Sequence, residues 1–445
     1  MTQAPTTPTE DTNGRTRVLS MSTLAFTLMF AVWLQFGILA IPIQKEFGLT
    51  DTQFYWLTAL PVLNGSLWRL ATGIWADRFG GRNVMLALLL ISAVPTALLT
   101  QVQSTTMLFV LAFLIGFAGN SSSSGIAWNS AWFPPQRKGF ALGVFGAGNV
   151  GASVTKLIGP TIISTTAGAA YFGGLAVGGW RIVPFIYAIA LVVTALAMFL
   201  VSPRPDRKPA ASAHFRDELT PLKELRVWRF SLYYVAVFGA YVALSSALPK
   251  YYESQFGVEL WEAALLTALF IFPASLLRPL GGALADRFGA RRVMYWTFTL
   301  MAVSSGVLMM PSGHIVLRVL ETKSPSGVLE VLPWNLNIWA FTALVVLLGC
   351  SMGIGKAAVY KYIPEYFPHH VGAVGGLVGM LGALGGFFLL PIFGYATAWT
   401  GIPTAPFGVL FVLTVVCFLW LHLTVHRMLQ ANSPELAHRF EFSHK

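Results

Sequence analysis

Charge is scarce in this chain of 445 residues: 11% are charged and 55% hydrophobic, where soluble domains carry about a quarter charged. That shortage excludes an ordinary water-facing surface. Cysteine is nearly absent. Cys350 and Cys417 both lie in apolar runs, and two cysteines make neither a disulfide scaffold nor a thiolate metal site. Acid is short as well, 18 Asp and Glu against 29 Lys and Arg. The acidic residues fall in tails, loops and span ends, and no histidine falls mid-span. No acid, base or nucleophile cluster therefore forms beside a candidate serine or cysteine. The chain reads as no enzyme, with no metal and no cofactor.

What is present is apolar sequence in long runs, each near the roughly 20 residues a helix needs to cross a bilayer. Twelve spans can be drawn, at 20–42, 54–76, 84–102, 107–132, 139–163, 183–201, 228–250, 262–285, 293–310, 337–362, 371–396 and 405–426. The first follows a polar, Thr- and Pro-rich stretch and is too long for a signal-peptide core, so residues 1–19 read as a tail. The net charge of +11 could suggest nucleic acid, but the placement of the charges is topological. Twenty Lys and Arg fall at one membrane side: Arg15, Arg17, Arg78, Arg82, Arg137, Lys138, seven between Arg204 and Arg229, Arg287, Arg291, Arg292, Lys361, Arg427, Arg439 and Lys445. Five fall at the other: Lys45, Arg181, Lys250, Arg318 and Lys323. By the positive-inside rule both termini are cytoplasmic. The expectation is a multi-pass protein of a bacterial inner membrane with the lipid bilayer, not nucleic acid, as its partner.

A charged stretch, 202–227, reads as a cytoplasmic linker between a bundle at 20–201 and a second at 228–426, with a tail at 427–445. The bundles repeat each other. Arg69-Leu-Ala-Thr-Gly73-Ile-Trp-Ala-Asp77-Arg78-Phe-Gly-Gly-Arg82 returns as Arg278-Pro-Leu-Gly-Gly282-Ala-Leu-Ala-Asp286-Arg287-Phe-Gly-Ala-Arg291. Two similar bundles suit a carrier that rocks about a central site. The pattern Gly-x-x-x-Asp-Arg-x-Gly-x-Arg resembles the loop signature of the major facilitator superfamily. That resemblance implies an all-α membrane protein of the major facilitator fold, with twelve transmembrane helices in two pseudo-symmetric six-helix bundles. The small residues allow close helix approach, and the charged ones can pair at the membrane edge to hold one conformation.

Arg69 and Arg278 each precede their loop Asp by eight residues, so at 1.5 Å per residue they lie about 12 Å inside a bilayer whose half-thickness is about 15 Å. Equivalent places near the midplane are where a repeat-built transporter puts its substrate. Lys156 and Lys356 add two more cations in apolar segments. Four buried cations without a mid-membrane carboxylate call for a compensating anion. The bland alternative, snorkelling to the interface, suits Lys356 best because it lies nearest a span end. Arginine suits a planar oxyanion, because its fork of donors bonds two oxygens.

Spans five and eleven are glycine-rich: Gly143-Val-Phe-Gly146-Ala-Gly148-Asn149-Val-Gly151, and Gly372-Ala-Val-Gly375-Gly376-Leu-Val-Gly379-Met-Leu-Gly382. Such faces permit close packing and sliding, or admit a small substrate. Beside the paired arginines, these segments make the chain resemble the nitrate/nitrite porter family. The resemblance implies that Arg69 and Arg278 clamp the anion, that Asn149 hydrogen-bonds it, and that Tyr234 and Phe238 of span seven line its pocket. Lys156 and Lys356 look like the branch thought to couple nitrate to protons. Packing is the competing account of Tyr234 and Phe238. It is the favoured account of the Ser121 to Ser124 run, and Trp128 and Trp132 carry no assignment.

The resulting expectation is a monomeric secondary active transporter that takes up nitrate with protons. The alternatives are exchange of nitrate for nitrite and facilitated transport of another small or organic anion. The loop at 311–334 is longer than its counterparts, and the sequence assigns it no role.

Overall fold

The computed structural model describes residues 11–174, 176–207, 220–311, 313–318, 328–367 and 371–432. The ends of both tails, the middle of the linker and the tip of the long loop lie outside the described residues. So do Lys208, Arg216, Lys323, Arg439 and Lys445 of the charge asymmetry.

The chain is almost wholly helical. Span one comprises α1 (Thr12–Trp33) and α2 (Phe36–Phe47), and span two α3 (Asp51–Leu67) and α4 (Arg69–Phe79). Span three is α5 (Gly81–Leu99). Span four joins α6 (Thr105–Ile115) to α7 (Ser121–Trp132), span five joins α8 (Pro135–Ala147) to α9 (Gly151–Thr166), and span six is α10 (Ile182–Val201). Span seven is α11 (Leu225–Tyr234) and α12 (Ala240–Phe256), joined by a π turn at Val235–Gly239. Span eight is α13 (Leu260–Leu276) and α14 (Arg278–Phe288), span nine α15 (Ala290–Leu308) and span ten α16 (Ile338–Tyr366). Spans eleven and twelve are α17 (Val371–Thr400) and α18 (Ala405–Asn432).

Among the described residues nine helical stretches are long and apolar enough to cross a membrane, and α13 with α14, bent by 42°, make a tenth. Spans two and nine complete the set by being less apolar. Span two is cut at Trp68 and carries Arg69, Asp77 and Arg78, while α15 opens with Arg291 and Arg292 and bears Thr297, Thr299, Ser304 and Ser305.

The two breaks beside the repeated arginines have identifiable causes. In span eight Pro279 has no N–H to offer the preceding turn, so the helix restarts at Arg278. In span two side chains take the carbonyls that the helix would use. Ser66 Oγ donates to Val62 O at 2.6 Å and Arg69 Nε to Gly65 O at 2.8 Å. Each motif helix then ends at a glycine in the left-handed region, Gly80 at φ +92° and Gly289 at φ +85°, where a Cβ would be strained.

Two compact units form. One holds Met1–Gln35 with Pro61–Thr220, and the other Phe36–Leu60 with Pro221–Lys445. In the first, Phe26, Phe30 and Trp33 of α1 are buried and Phe26 stacks on Phe145 at 4.5 Å. In the second, α12 is buried from Ala240 to Pro249. The long loop carries an antiparallel hairpin, β3 (Gly313–Arg318) with β4 (Val328–Trp334); a smaller one, β1 (Ala170–Tyr171) with β2 (Ala176–Val177), follows span five.

Candidate functional site

In the first unit Arg69 lies at the break in span two and Asn149 at the break in span five, both breaks packed on α1. Arg69 is 4% exposed; its guanidinium lies 5.3 Å from the Trp33 ring and its Nε is spent on Gly65 O. Trp33 is fixed in turn, since its indole N–H donates to Pro61 O at 2.8 Å. Asn149 sits in the tight turn Gly148–Val150 between α8 and α9. It is 2% exposed, and its amide Nδ2 is a buried donor with no acceptor among the described residues. A buried donor without an acceptor is costly, so the position suits a ligand with oxygen to offer.

Two glycines of span five make room for this turn against α1. A Cβ at Gly151 would lie 2.0 Å from Thr27 O, and one at Gly148 2.6 Å from Phe26 Cδ1. These glycines are packing devices first. Lys156, two turns beyond Asn149, is buried and donates to Ala152 O at 3.2 Å. The neighbouring Thr155 hydroxyl bonds Tyr187 at 2.6 Å.

The second unit holds an aromatic box. Tyr234 and Phe238 stack with centroids 5.0 Å apart and planes 12° apart, across the π turn rather than along a regular helical turn. Tyr360 meets Tyr234 edge-on at 5.0 Å, and the Arg278 guanidinium lies 5.7 Å from the Tyr360 ring. Lys356 is fully buried, donates to Ala274 O at 3.0 Å and sits 3.2 Å from the centre of the Tyr241 ring. Tyr241 is oriented by a 3.0 Å hydrogen bond with Ser275. Each cation lies over the negative face of an aromatic ring, and the positive charge the two bring is what a small anion would offset.

The glycines of span eleven seat this box. A Cβ at Gly382 would fall 2.3 Å from Tyr234 Cδ1, and one at Gly379 2.8 Å from the Tyr360 hydroxyl, which donates to Gly375 O. The flat face is filled by aromatic rings.

The repeated loop motif is engaged within each unit. Asp286 pairs with Lys361 at the end of α16. Arg82 donates its backbone N–H to the Asp206 carboxylate at 3.1 Å and its Nη2 to Phe199 O at 3.0 Å. Trp128 and Trp132 also donate to Asp206, at 2.9 and 3.0 Å, which is their role in this structure. Ser121 and Ser122 bond carbonyls of their own chain segment and Ser124 bonds Thr72 O, the packing reading of that run.

Sequence reasoning missed three residues. Tyr241 continues the Tyr234, Phe238 stripe at helical spacing, and Tyr360 stands one turn from Lys356. Gln35, at the break in span one, is fully buried with both amide atoms lacking a partner among the described residues. It is the one polar side chain between Phe30 and Ile43, and that isolation was the available signal.

A fold of this kind with buried cations defines a transporter. The family model for the major facilitator superfamily matches residues 21–317 and 262–443. A probable nitrate/nitrite antiporter, NarK1, of Thermus thermophilus is 61% identical over 427 residues, 96% of this chain and 95% of that protein. The nitrite extrusion protein of Bacillus subtilis is 30% identical over 83% of this chain and 84% of its own length. A solved bacterial homologue of the lysosomal transporter Spinster has a TM-score of 0.68 at 18% identity, covering 92% of this chain and 96% of that one, a likeness of fold alone. The chain belongs to the major facilitator superfamily and, within it, to the nitrate/nitrite porter family. It is a multi-pass membrane transporter and not an enzyme.

Proposed function

We propose that this protein carries nitrate across a bacterial cytoplasmic membrane by alternating access, taking it up together with protons. In this reading Arg69 and Arg278 bind the anion by charge and paired hydrogen bonds, Asn149 donates a further bond, and the stacked Tyr234 and Phe238 line its pocket. The observation that carries the reading is the aromatic box of the second unit, held between Arg278 and Lys356. A hydrophobic or zwitterionic substrate would leave the buried Lys356 and the half-buried Arg278 uncompensated.

Proton coupling follows from chemistry that arginine lacks. An empty carrier holding several buried cations is poorly placed to reset, and a bound anion relieves that. A lysine, unlike an arginine, can give up its proton and offer a second way to lose the charge. Exchange of nitrate for nitrite is the second reading, favoured by the similarity to the probable nitrate/nitrite antiporter of Thermus thermophilus. The deciding experiment uses purified protein in proteoliposomes free of nitrite. Lumenal acidification on adding external nitrate, absent in Arg278→Ala, establishes symport. Uptake that appears only once nitrite is loaded inside establishes exchange.

A further inference from the structure

In the second unit the starts of α11 and α15 meet the ends of α16 and α18 around a small cavity that shares no lining residue with the aromatic box. Its lining includes Arg229, Arg291, Tyr233, Tyr362, Tyr366 and Thr424. The cavity measures about 10 Å³ for a water-sized occupant, room for one ligand atom.

Two of its hydroxyls are anomalous. Tyr233 is 1% exposed and Tyr362 5%, and neither phenolic oxygen has a hydrogen-bond partner among the described residues. Burying a hydroxyl without a partner is costly, and phenylalanine would fill the same ring position without that cost. The rings are also held rigidly. Tyr362 stacks on Phe230 at 5.1 Å with planes 5° apart, and Tyr233 packs edge-on against Phe298 at 5.4 Å. The hydroxyls are thus fixed donors, and the two half-buried arginines beside them give the cavity a positive potential.

We infer that this cavity is a second anion site, distinct from the substrate site, which takes a halide or one anionic oxygen between the Tyr233 and Tyr362 hydroxyls and the Arg229 and Arg291 guanidinium groups. The charge bias of the sequence assigns this end to the cytoplasm, where both free inorganic anions and the phosphates of anionic lipids are available. Either source supplies the same chemistry.

The test is thermal unfolding of the purified, delipidated protein in the Arg278→Ala background, which removes the substrate clamp. Arg69→Ala serves as a second background should the first fold poorly. Sodium chloride or nitrate is compared with gluconate at equal ionic strength, and phosphatidylglycerol is titrated separately. Binding should raise the midpoint by about 2 °C or more. A response to chloride or nitrate identifies a free anion, and a response to phosphatidylglycerol alone identifies a lipid phosphate. Either response should vanish in Tyr233→Phe/Tyr362→Phe and in Arg291→Gln. A response that survives in the double phenylalanine variant, or no response to either source, overturns the site and leaves a water as the occupant.

Discussion

Arg278 is the residue on which the substrate reading is most exposed to test, because lysine keeps its charge but loses the fork. If one charge-assisted hydrogen bond to the anion is lost, about 1.5–3 kcal/mol, Arg278→Lys should weaken nitrate binding roughly 10- to 150-fold. Arg278→Ala should abolish uptake with membrane abundance unchanged; uptake assays alongside immunoblots check both. Asp51 makes the opposite case. Its carboxyl is held below the usual carboxylate range chiefly by the hydrogen bond from Lys250, with burial opposing and Gln44 assisting. A depressed carboxyl keeps its contact at all pH values above that range and loses it only as pH falls through its own low pKa. Asp51→Asn should therefore leave the shape of the uptake profile between pH 5 and 8 unaltered, whatever it does to the rate. A pH optimum displaced by a unit would mean that Asp51 titrates in that window. The cations of the candidate site were legible in sequence because a charge inside an apolar run is conspicuous. Tyr241 and Tyr360 were not, because a buried tyrosine passes as ordinary packing until its neighbours are known.

At the scale of the element, the glycines separate by what stands opposite them. Gly151→Ala would drive a Cβ to 2.0 Å from Thr27 O, a backbone atom that cannot swing aside, whereas Gly143 on the same span has nothing within 4 Å. Gly151→Ala should cost about 1–3 kcal/mol of stability by overpacking. Gly143→Ala should be neutral or gain up to about 1 kcal/mol from helix propensity. Thermal unfolding in detergent orders the two, and equal midpoints would remove the close-packing account of span five. The sequence showed where glycine was dense but not which glycines were spacers. The partner of Gly382 is Tyr234, 148 positions away in the chain, and only the fold brings them together. The helix breaks were half legible. Pro279 announces the one before Arg278, while the one before Arg69 depends on side chains taking backbone carbonyls, which no residue pattern declares.

For the whole molecule, the repeat was the most legible feature, because a motif recurring at a constant offset implies equivalent places in two bundles without any coordinates. The two hairpins among the described residues were not foreseen, since short β segments in loops lack the long period that marks a span. The same repeat argument does not settle how transport is driven, because Lys156 and Lys356 occupy different spans in their halves and have different surroundings. Among the described residues Lys156 donates to a carbonyl of its own helix alone, whereas Lys356 lies against Tyr241 and holds a carbonyl of the neighbouring span. If proton movement uses the lysine tied to the aromatic box, Lys356→Gln should abolish pH-driven net nitrate accumulation and retain nitrate binding, while Lys156→Gln should reduce accumulation less. Proteoliposome uptake under an imposed pH gradient, paired with a nitrate binding assay, reads both quantities. Full pH-driven accumulation in both variants would remove the lysines from coupling and move the weight to nitrate/nitrite exchange. Equal loss in both would mean that the two halves share the step despite their unequal surroundings.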